Sequence, residues 1–415
     1  MTSGYEVIAG FVEANFAAEI AFLRELVRMP TDTPPGDNAP HARRAAELLE
    51  AMGFTVEQHA VPAAEVKAQG LVSLINLIVR RSFGPGPVIA LNAHGDVVPP
   101  GEGWSKPPYA GLIEDGRMFG RGVAVSKSDF ATYAFALRAV EAVGATLKGT
   151  VELHFTYDEE FGGLLGPGYL LRRRLSKPDL VIAAGFSYAV ITAHNGCLQL
   201  EVSVRGTAAH AALPETGSDA LAAAVDILNA LYGERRQYAA IRSRLPGIST
   251  PTLNVGLIEG GINTNVVPDK VTLRLDRRII PEEDARAVEA RLDEVIGSAV
   301  RDRPGISVAT RRLLSAAALR PQPGQARLAE ALQKHASAVF AEPIGVSASP
   351  LYTDARLYGA AGVPVVLYGA GPRTLLEANA KRADENILLA DLRRATIVVA
   401  RVLLDLLDPE TRPPP

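Results

Sequence analysis

The segment that decides the fold is VIALNAHGDVVPP, residues 88–100, in which an apolar run ends at two polar side chains. The run begins at Val88 and stops before His94, and its length and composition predict a strand buried inside a sheet. His94 and Asp96 follow at its carboxyl end. Ligand sites of open α/β sheets lie beyond the carboxyl ends of the strands, so this position predicts a functional site.

A second strand delivers polar residues in the same way. Val151 to Thr156 alternates like a strand and is followed directly by Asp158, Glu159 and Glu160. Predicted helices separate these runs, including residues 5–29, 39–52 and 130–143. Alternating strands and helices predict an α/β catalytic domain with a mostly parallel sheet, and His94 and Glu160 at the same edge of it.

A different pattern begins near Leu198. Residues 198–308 read as strand, helix, strand, strand and helix, which predicts a small α+β layer of ferredoxin-like type. The apolar strands and helices of the first region return after it. We therefore predict a catalytic domain in two parts, residues 1–197 and 309–415, with residues 198–308 inserted as a lid or dimerisation domain.

Composition narrows the functional class. A net charge of −3 over 415 residues gives no general attraction to nucleic acid or to an anionic membrane surface. The single cysteine, Cys197, lies in an apolar run and is predicted to be a buried structural thiol, which fits a reducing compartment. The chain starts without the apolar stretch of a secretory signal, and no run is long enough to span a bilayer. These features predict a cytoplasmic protein.

Several ordered blocks resemble one enzyme family. They are HGDVVPPG (94–101), DGRMFGRG (115–122), TYDEE (156–160), GTAAH (206–210), NVVPD (265–269) and YTDAR (352–356). In this order and spacing, the chain resembles the zinc peptidases and amidohydrolases that include aminoacylase, acetylornithine deacetylase and succinyl-diaminopimelate desuccinylase. The resemblance spans nearly the whole chain and implies a two-domain fold, a small-molecule substrate and a homodimer formed through the inserted domain.

The resemblance also implies roles for four residues of the first domain. In this family two zinc ions share a bridging Asp, polarise an amide carbonyl and acidify a water molecule. His94 and Glu160 match metal ligands, Asp96 matches the carboxylate that orients the histidine, and Glu159 matches the general base.

Three other ligand positions depart from the family pattern. The bridging Asp is replaced by Val125, a further carboxylate by Gly185 (Ala184 if the register slips by one), and the last histidine by Lys381. His94 and Glu160 alone are fewer than the three protein ligands typical of catalytic zinc. A lysine can bind a metal only when neutral, which is costly near pH 7.

Two interpretations of this site follow. A single zinc ion could be held by replacement ligands, for which Asp129, Asp158 and His194 are the candidates. Alternatively no metal binds, and Lys381 supplies a positive charge to the carboxylates, with Lys127 as a second source. Lys381 would then be a catalytic residue, although a solvent-exposed lysine with no role fits the polar run around it equally well. A Ser126–Lys127 nucleophile is the least favoured interpretation, because adjacent side chains rarely face each other.

The inserted domain supplies candidate substrate-binding residues. The resemblance implies that His210 and Asn265 stabilise the oxyanion, His210 in the partner subunit's site, and that Arg278 binds a substrate carboxylate. Each has a structural alternative: His210 caps a turn, Asn265 holds a loop, and Arg278 pairs with Glu282.

The sequence therefore favours hydrolysis of an amide bond in a small carboxylate-bearing substrate, such as an N-acyl amino acid or a dipeptide, with an atypical or absent zinc site. Two alternatives remain open at this point. One is metal-independent chemistry on the same scaffold, as an activated-bond hydrolase, a lyase or an isomerase. The other is a ligand-binding pseudoenzyme without turnover.

Overall fold

The computed structural model describes residues 3–409, which form two compact units. Among the described residues, the first unit comprises residues 3–192, 321–347 and 353–409, and the second comprises residues 193–320 and 348–352. The chain leaves the first unit and returns to it, so the second unit is an insertion in sequence.

The helices and strands are numbered in chain order. The helices are α1 Gly4–Val27, α2 Ala39–Ala51, α3 Ala63–Ala68, α4 Lys127–Ala142, α5 Pro167–Arg172, α6 Ala220–Gln237, α7 Ala285–Ala299, α8 Gln325–Phe340, α9 Arg356–Ala360 and α10 Leu389–Leu407. The strands are β1 Val56–Ala60, β2 Ile75–Ser82, β3 Val88–His94, β4 Leu112–Glu114, β5 Arg117–Phe119, β6 Thr150–Thr156, β7 Leu180–Ala183, β8 Ala189–His194, β9 Gly196–Arg205, β10 Ala209–His210, β11 Thr252–Gly260, β12 Val266–Val267, β13 Lys270–Ile279, β14 Ser307–Ala316, β15 Gly345–Ser349, β16 Val365–Leu367 and β17 Asn386–Leu388.

An eight-stranded sheet forms the centre of the first unit. Its strand order is β1-β2-β6-β3-β7-β16-β8-β15. The four central strands β6, β3, β7 and β16 run parallel, whereas β1, β2 and β8 pair antiparallel with their neighbours. The predicted α/β fold with a largely parallel sheet is confirmed, and the parallel part is the part that carries His94 and the residues after Thr156.

The central strands lie close to their predicted positions, and nearly all of their side chains are buried, including the polar Glu152 and His154 of β6. β7 has the predicted bounds, and the predicted hairpin at Asp115-Gly116 joins β4 to β5. Differences occur where polar residues begin an element: α4 starts at Lys127 and not at Phe130, because three buried polar residues form its first turn. Within residues 3–409, no helix has both the length and the apolar character needed to cross a membrane.

The second unit is a four-stranded antiparallel sheet with two helices. The strand order is β11-β13-β9-β14, and the apolar sides of β9 and β13 pack with residues of α6 and α7 in one core. Sequence analysis missed β14, because most of its residues are exposed and do not alternate clearly. Its pairing with β9 extends this unit beyond residue 308, the boundary predicted from the sequence.

Helices α1, α4 and α10 pack against one another and enclose an acidic residue. Glu19 on α1 is fully buried, and its Oε1 lies 2.5 Å from Oγ1 of Thr396 on α10. Burial raises the pKa of Glu19 to about 8, even though the contact with Thr396 lowers it. The folded chain therefore keeps this carboxyl protonated at pH values where the unfolded chain has ionised it.

We expect Glu19 to make the protein less stable as the pH rises from 5 to 8. The unfolded chain loses the proton near its ordinary pKa and the folded chain only near 8, so stability falls by roughly 1.4 kcal/mol per pH unit between these values. Glu19→Gln should abolish this loss. The free energy of unfolding of the variant, relative to that of the wild type, should therefore be higher at pH 8 than at pH 5 by on the order of 3 kcal/mol. Urea unfolding at both pH values measures it, with Glu13→Gln on the exposed side of α1 as the control; parallel pH profiles for wild type and Glu19→Gln would refute it.

Candidate active site

A buried carboxylate ties together the ends of two neighbouring strands. Asp96 follows β3, is fully buried, and accepts hydrogen bonds from the amides of Glu159 at 3.2 Å and Glu160 at 3.0 Å. Glu159 begins a short 3-10 turn that follows β6. Because β3 and β6 pair in parallel with His94 opposite Thr156, the structure brings together the four residues predicted at this edge.

His94 faces two of these acidic residues. Its Nδ1 lies 3.1 Å from the carbonyl oxygen and 3.3 Å from Oδ1 of Asp96, and its Nε2 lies 3.9 Å from Oε2 of Glu159. Burial alone would lower the pKa of His94, but the carboxylates of Asp96 and Glu159 outweigh it and raise the pKa to about 10. Asp96 thus contacts the imidazole on one side, and Glu159 lies on its other side.

Burial also shifts the acids of this cluster towards their neutral forms. It raises the pKa of Glu159 to about 8, an effect that His94 and Lys381 oppose and Glu160 reinforces. It likewise raises the pKa of Asp158 to about 8 and that of Asp354 to about 6. Near neutral pH, Glu159 can both accept and release a proton, which is what a general base that later acts as an acid requires.

Asp354 is a residue of this cluster that sequence analysis did not select. It is buried at the start of the turn before α9, and its charge acts on His94 and Glu159. The block YTDAR (352–356) had been recognised only as part of the resemblance. Asp354 follows an irregular segment, so it could not be predicted from the end of a strand as His94 and Glu160 were.

Val125 lies between two residues that are fixed to the site. The amide of Ala124 donates to Oε1 of Glu385 at 3.2 Å, and the hydroxyl of Ser126 both accepts from the amide of His94 at 2.8 Å and donates to its carbonyl at 3.0 Å. Val125 is therefore held beside the end of β3 with an apolar side chain. Since Ser126 binds the His94 backbone, the structure gives no support to a Ser126 nucleophile.

Lys127 does not supply a charge to the carboxylates by direct contact. Its Nζ donates to the carbonyl oxygens of Leu26 at 3.2 Å and Met29 at 2.8 Å, at and just beyond the C-terminal end of α1. Burial lowers the pKa of Lys127 to about 7, against the attraction of Asp32, Glu385 and Asp96. The ammonium of Lys127 is thus bound to these carbonyl oxygens, and the acidic groups act on it through charge and not through a hydrogen bond.

Lys381, by contrast, reaches the cluster. Its Nζ lies 2.6 Å from Oε2 of Glu160, whose side chain is 10% exposed, while the lysine side chain is 61% exposed. Burial lowers the pKa of Lys381, but Glu160 and Glu159 outweigh it and raise the pKa. Lys381 is therefore a largely exposed lysine, as the structural alternative expected, and it also forms an ion pair with Glu160.

The backbone of Lys381 is held in an unfavourable conformation. Its φ is 61°, in the left-handed region, which costs an L-residue about 1 kcal/mol. Hydrogen bonds on either side hold this turn: the amide of Ala380 donates to Leu375 at 2.9 Å, and that of Arg382 to Asn379 at 2.8 Å. The turn therefore directs Lys381 towards Glu160.

A buried ion pair anchors the same turn. Arg121 and Glu385 are almost completely buried and form a salt bridge, and the Arg121 guanidinium lies 5.2 Å from the ring of Trp104. The amide of Gly120 donates to the carbonyl of Glu385 at 2.9 Å. The pair fixes the segment that contains Val125 against the segment that contains Lys381.

A two-zinc site does not fit the residues present. Val125 has no donor atom, and the ammonium of Lys381 is engaged with Glu160. At Gly185, an added Cβ would lie 2.8 Å from backbone atoms of both Leu367 and Tyr368, so a carboxylate side chain cannot be accommodated by this backbone. Within residues 3–409, no group of three or more His, Cys, Asp or Glu side chains is arranged to hold a metal ion.

The replacement ligands considered from the sequence have other partners. Oδ1 of Asp129 accepts from the amide of Ala370 at 2.7 Å, and Oδ2 of Asp158 accepts from the amide of Leu165 at 2.5 Å. His194 belongs to the second unit, where its Nδ1 lies 2.8 Å from the carbonyl oxygen of Asn195. These contacts favour structural roles for all three.

In the second unit, Arg278 is fixed by an acidic neighbour. Its Nε donates to Oδ1 of Asp276 at 2.8 Å, and its guanidinium carbon lies 5.4 Å from the ring of Tyr352. Oδ2 of Asp276 accepts from Gln199 at 3.0 Å and from the thiol of Cys197, which is buried as predicted, at 3.3 Å. Arg278 pairs with Asp276 through Nε, whereas Glu282 accepts hydrogen bonds from Ser243 and the amide of Arg244.

The same unit brings His210 and Asn265 together. β10 pairs with β12, and the amide of Ala211 donates to the carbonyl of Asn265 at 3.0 Å. The amide of Ala212 donates to Nδ1 of His210 at 3.1 Å, so a neutral His210 carries its proton on Nε2. His210 therefore does cap a turn, and the cap fixes the tautomer in which Nε2 is a donor.

Comparison with known proteins identifies relatives along the whole chain. The model of peptidase family M20/M25/M40 matches residues 90–405. Succinyl-diaminopimelate desuccinylase of Acidiphilium cryptum is 27% identical over 396 residues, covering 93% of this chain and 98% of that enzyme. Among solved structures, a dipeptidase of Saccharomyces cerevisiae has a TM-score of 0.77 at 16% identity, covering 96% of this chain and 98% of its own. A dinuclear metal-binding peptidase of Bacillus subtilis has a TM-score of 0.67 at 17% identity, covering 97% and 100%.

We expect Glu385→Gln to destabilise the protein by on the order of 3 kcal/mol, because it leaves the buried guanidinium of Arg121 without its counter-charge. Urea unfolding measures the change. The matched control is Glu47→Gln, which removes an exposed ion pair with Arg44 and should cost less than about 1 kcal/mol. Equal effects of the two variants would show that the buried pair does not hold this part of the structure.

Proposed function

Because this chain belongs to peptidase family M20/M25/M40, we propose that it hydrolyses the amide bond of a small carboxylate-bearing substrate such as an N-acyl amino acid or a dipeptide. Hydrolysis of amide bonds in small substrates follows from the family and from the desuccinylase relatives. The finer assignment of a carboxylate-bearing substrate is the proposal, and it is supported by the fixed arginine of the second unit.

The observation that carries the proposed chemistry is the position of Glu159. Its amide is bound to Asp96 and its carboxyl group faces His94 at 3.9 Å. Glu159 takes a proton from a water molecule as the water oxygen attacks the amide carbon. When the C–N bond breaks, Glu159 gives the proton to the departing amine nitrogen, so that the carboxylic acid and the amine leave and the enzyme is unchanged.

The second unit contributes binding groups in this proposal. Arg278, held through Nε by Asp276, offers two parallel N–H groups to the substrate carboxylate. His210 and Asn265 stabilise the developing oxyanion, as the resemblance implies, and the Nε2–H tautomer of His210 suits a donor in that role.

The resemblance further leads us to propose a homodimer formed through the second unit, and the single buried cysteine supports the proposal that this dimer is located in the cytoplasm. Sedimentation velocity of the full chain tests the dimer, which would have twice the mass of 44.0 kDa.

We expect Glu159→Gln to abolish hydrolysis while leaving ligand binding intact, because the amide keeps the size of the side chain and cannot accept the proton. Release of free amine from a panel of N-acetyl and N-succinyl amino acids and dipeptides identifies a substrate, and calorimetry with that compound measures binding. Glu330→Gln, on the exposed face of α8, is the control and should keep full activity. Full activity of Glu159→Gln would show that another residue is the base.

We expect Arg278→Lys to raise KM for the same substrate about tenfold or more with a smaller change in kcat, because an ammonium cannot bind a carboxylate through two parallel hydrogen bonds. The control is Arg274→Lys, four residues earlier on β13, where the side chain pairs with Glu201 on the surface. An unchanged KM for Arg278→Lys would exclude Arg278 as the carboxylate-binding residue.

A further inference from the structure

We propose that the ammonium of Lys381 replaces a metal ion beside Glu160, so that this pocket contains a protein cation where its metal-dependent relatives would hold zinc. The inference rests on the proposed function in taking Glu159 and Glu160 as part of the catalytic pocket. It goes beyond that function because it assigns the source of positive charge.

The first step of the argument is the position of the ammonium. Nζ of Lys381 lies 2.6 Å from Oε2 of Glu160, and the amide of Glu160 is bound to Asp96 at 3.0 Å. The lysine therefore pairs with the carboxylate that corresponds to a metal ligand. A protonated lysine repels a dication and occupies the carboxylate oxygen that the dication would need.

The second step is the absence of the ligand that would bridge two ions. Val125 is held in place by Ala124, bound to Glu385, and by Ser126, bound to His94. Val125 therefore lies between residues bound to Glu385 and to His94, and its side chain offers only methyl groups.

The third step concerns the remaining carboxylate. The backbone of Gly185 runs so close to Leu367 and Tyr368 that a Cβ would lie 2.8 Å from backbone atoms of each. A side chain there would require the two strands to separate. Among the ligand positions implied by the resemblance, only His94 and Glu160 keep a metal-binding side chain, and Glu160 is paired with Lys381.

As a chemical consequence, the groups that stabilise the amide oxygen and remove the water proton differ from those of a metal enzyme. An ammonium group can donate hydrogen bonds to the amide oxygen as negative charge develops on it. It cannot lower the pKa of a bound water as zinc does. Removal of the water proton then depends on Glu159, while Lys381 interacts with the oxygen that gains charge.

Metal content of the purified full chain tests the inference. After exposure to zinc and extensive dialysis, elemental mass spectrometry should find less than about 0.1 zinc per wild-type chain. The double variant Val125→Asp/Lys381→His adds two donors beside Glu160, reaching the three protein ligands typical of zinc sites, and should retain about one zinc per chain. Gly185 is left unchanged because its backbone has no room for a side chain.

The matched control is Val125→Asp/Lys67→His, which makes the same chemical changes but places the histidine on the exposed surface of α3. It should bind no more zinc than the wild type, and circular dichroism should show that both double variants fold. One zinc tightly bound to the wild type would overturn the inference. A folded Val125→Asp/Lys381→His variant without zinc would also overturn it, because Lys381 would then not occupy a ligand position.

These results are independent of the substrate. A wild-type chain that binds no zinc and hydrolyses no compound of the panel would refute the proposed function and leave the replacement of the metal by Lys381 standing. A wild-type chain that retains zinc and hydrolyses an N-acyl amino acid would support the proposed function and refute the replacement of the metal by Lys381.

Discussion

The active site depends on the two hydrogen bonds that the buried carboxylate of Asp96 accepts from the amides of Glu159 and Glu160. They join the ends of β3 and β6, which are already aligned by parallel pairing of the strands. Leaving a buried carboxylate without donors would cost several kcal/mol, so the turn after β6 is constrained to present these two amides. The same carboxylate orients His94. One acidic side chain thus fixes the positions of the imidazole, the proposed base and the partner of Lys381.

The parts of this arrangement that follow a strand could be predicted from the sequence. A predicted strand that ends at a polar residue places that residue at the edge of the sheet, and this was sufficient to place His94 and Glu160; Asp96 and Glu159 were selected through the family resemblance. Asp354 and the path of Lys127 could not be found in this way. Asp354 enters from an irregular turn, and Lys127 turns to the carbonyls at the end of α1, where the lack of hydrogen-bond donors is visible only once the helices are packed. The strand β14 was missed because an exposed strand has no apolar signal.

The charges of the pocket are moderated by burial as well as by pairing. Asp158 and Glu159 would place several negative charges in a small volume, but burial raises the pKa of both to about 8 and so favours their neutral forms at neutral pH. The neighbouring carboxylates also raise the pKa of His94 and that of Lys381, and for these two basic groups a raised pKa favours the cationic form. The cluster can therefore exist in the folded protein without two dications, because its own side chains limit the net negative charge.

The three departures from the family pattern are physically consistent with one another. The loss of the bridging carboxylate at Val125 removes the main attraction for a pair of ions, and without those ions the carboxylate of Glu160 needs another counter-charge. Lys381 can provide it because a strained but well-anchored turn places its ammonium against Glu160 while most of the side chain stays exposed, and the buried pair of Arg121 and Glu385 holds that turn in place. Once no ion requires a third carboxylate, the backbone at Gly185 is free to approach β16 more closely than any side chain would permit. A single substitution at any one of these positions would leave the other two opposed to metal binding, so the pocket is best understood as one rearranged electrostatic unit.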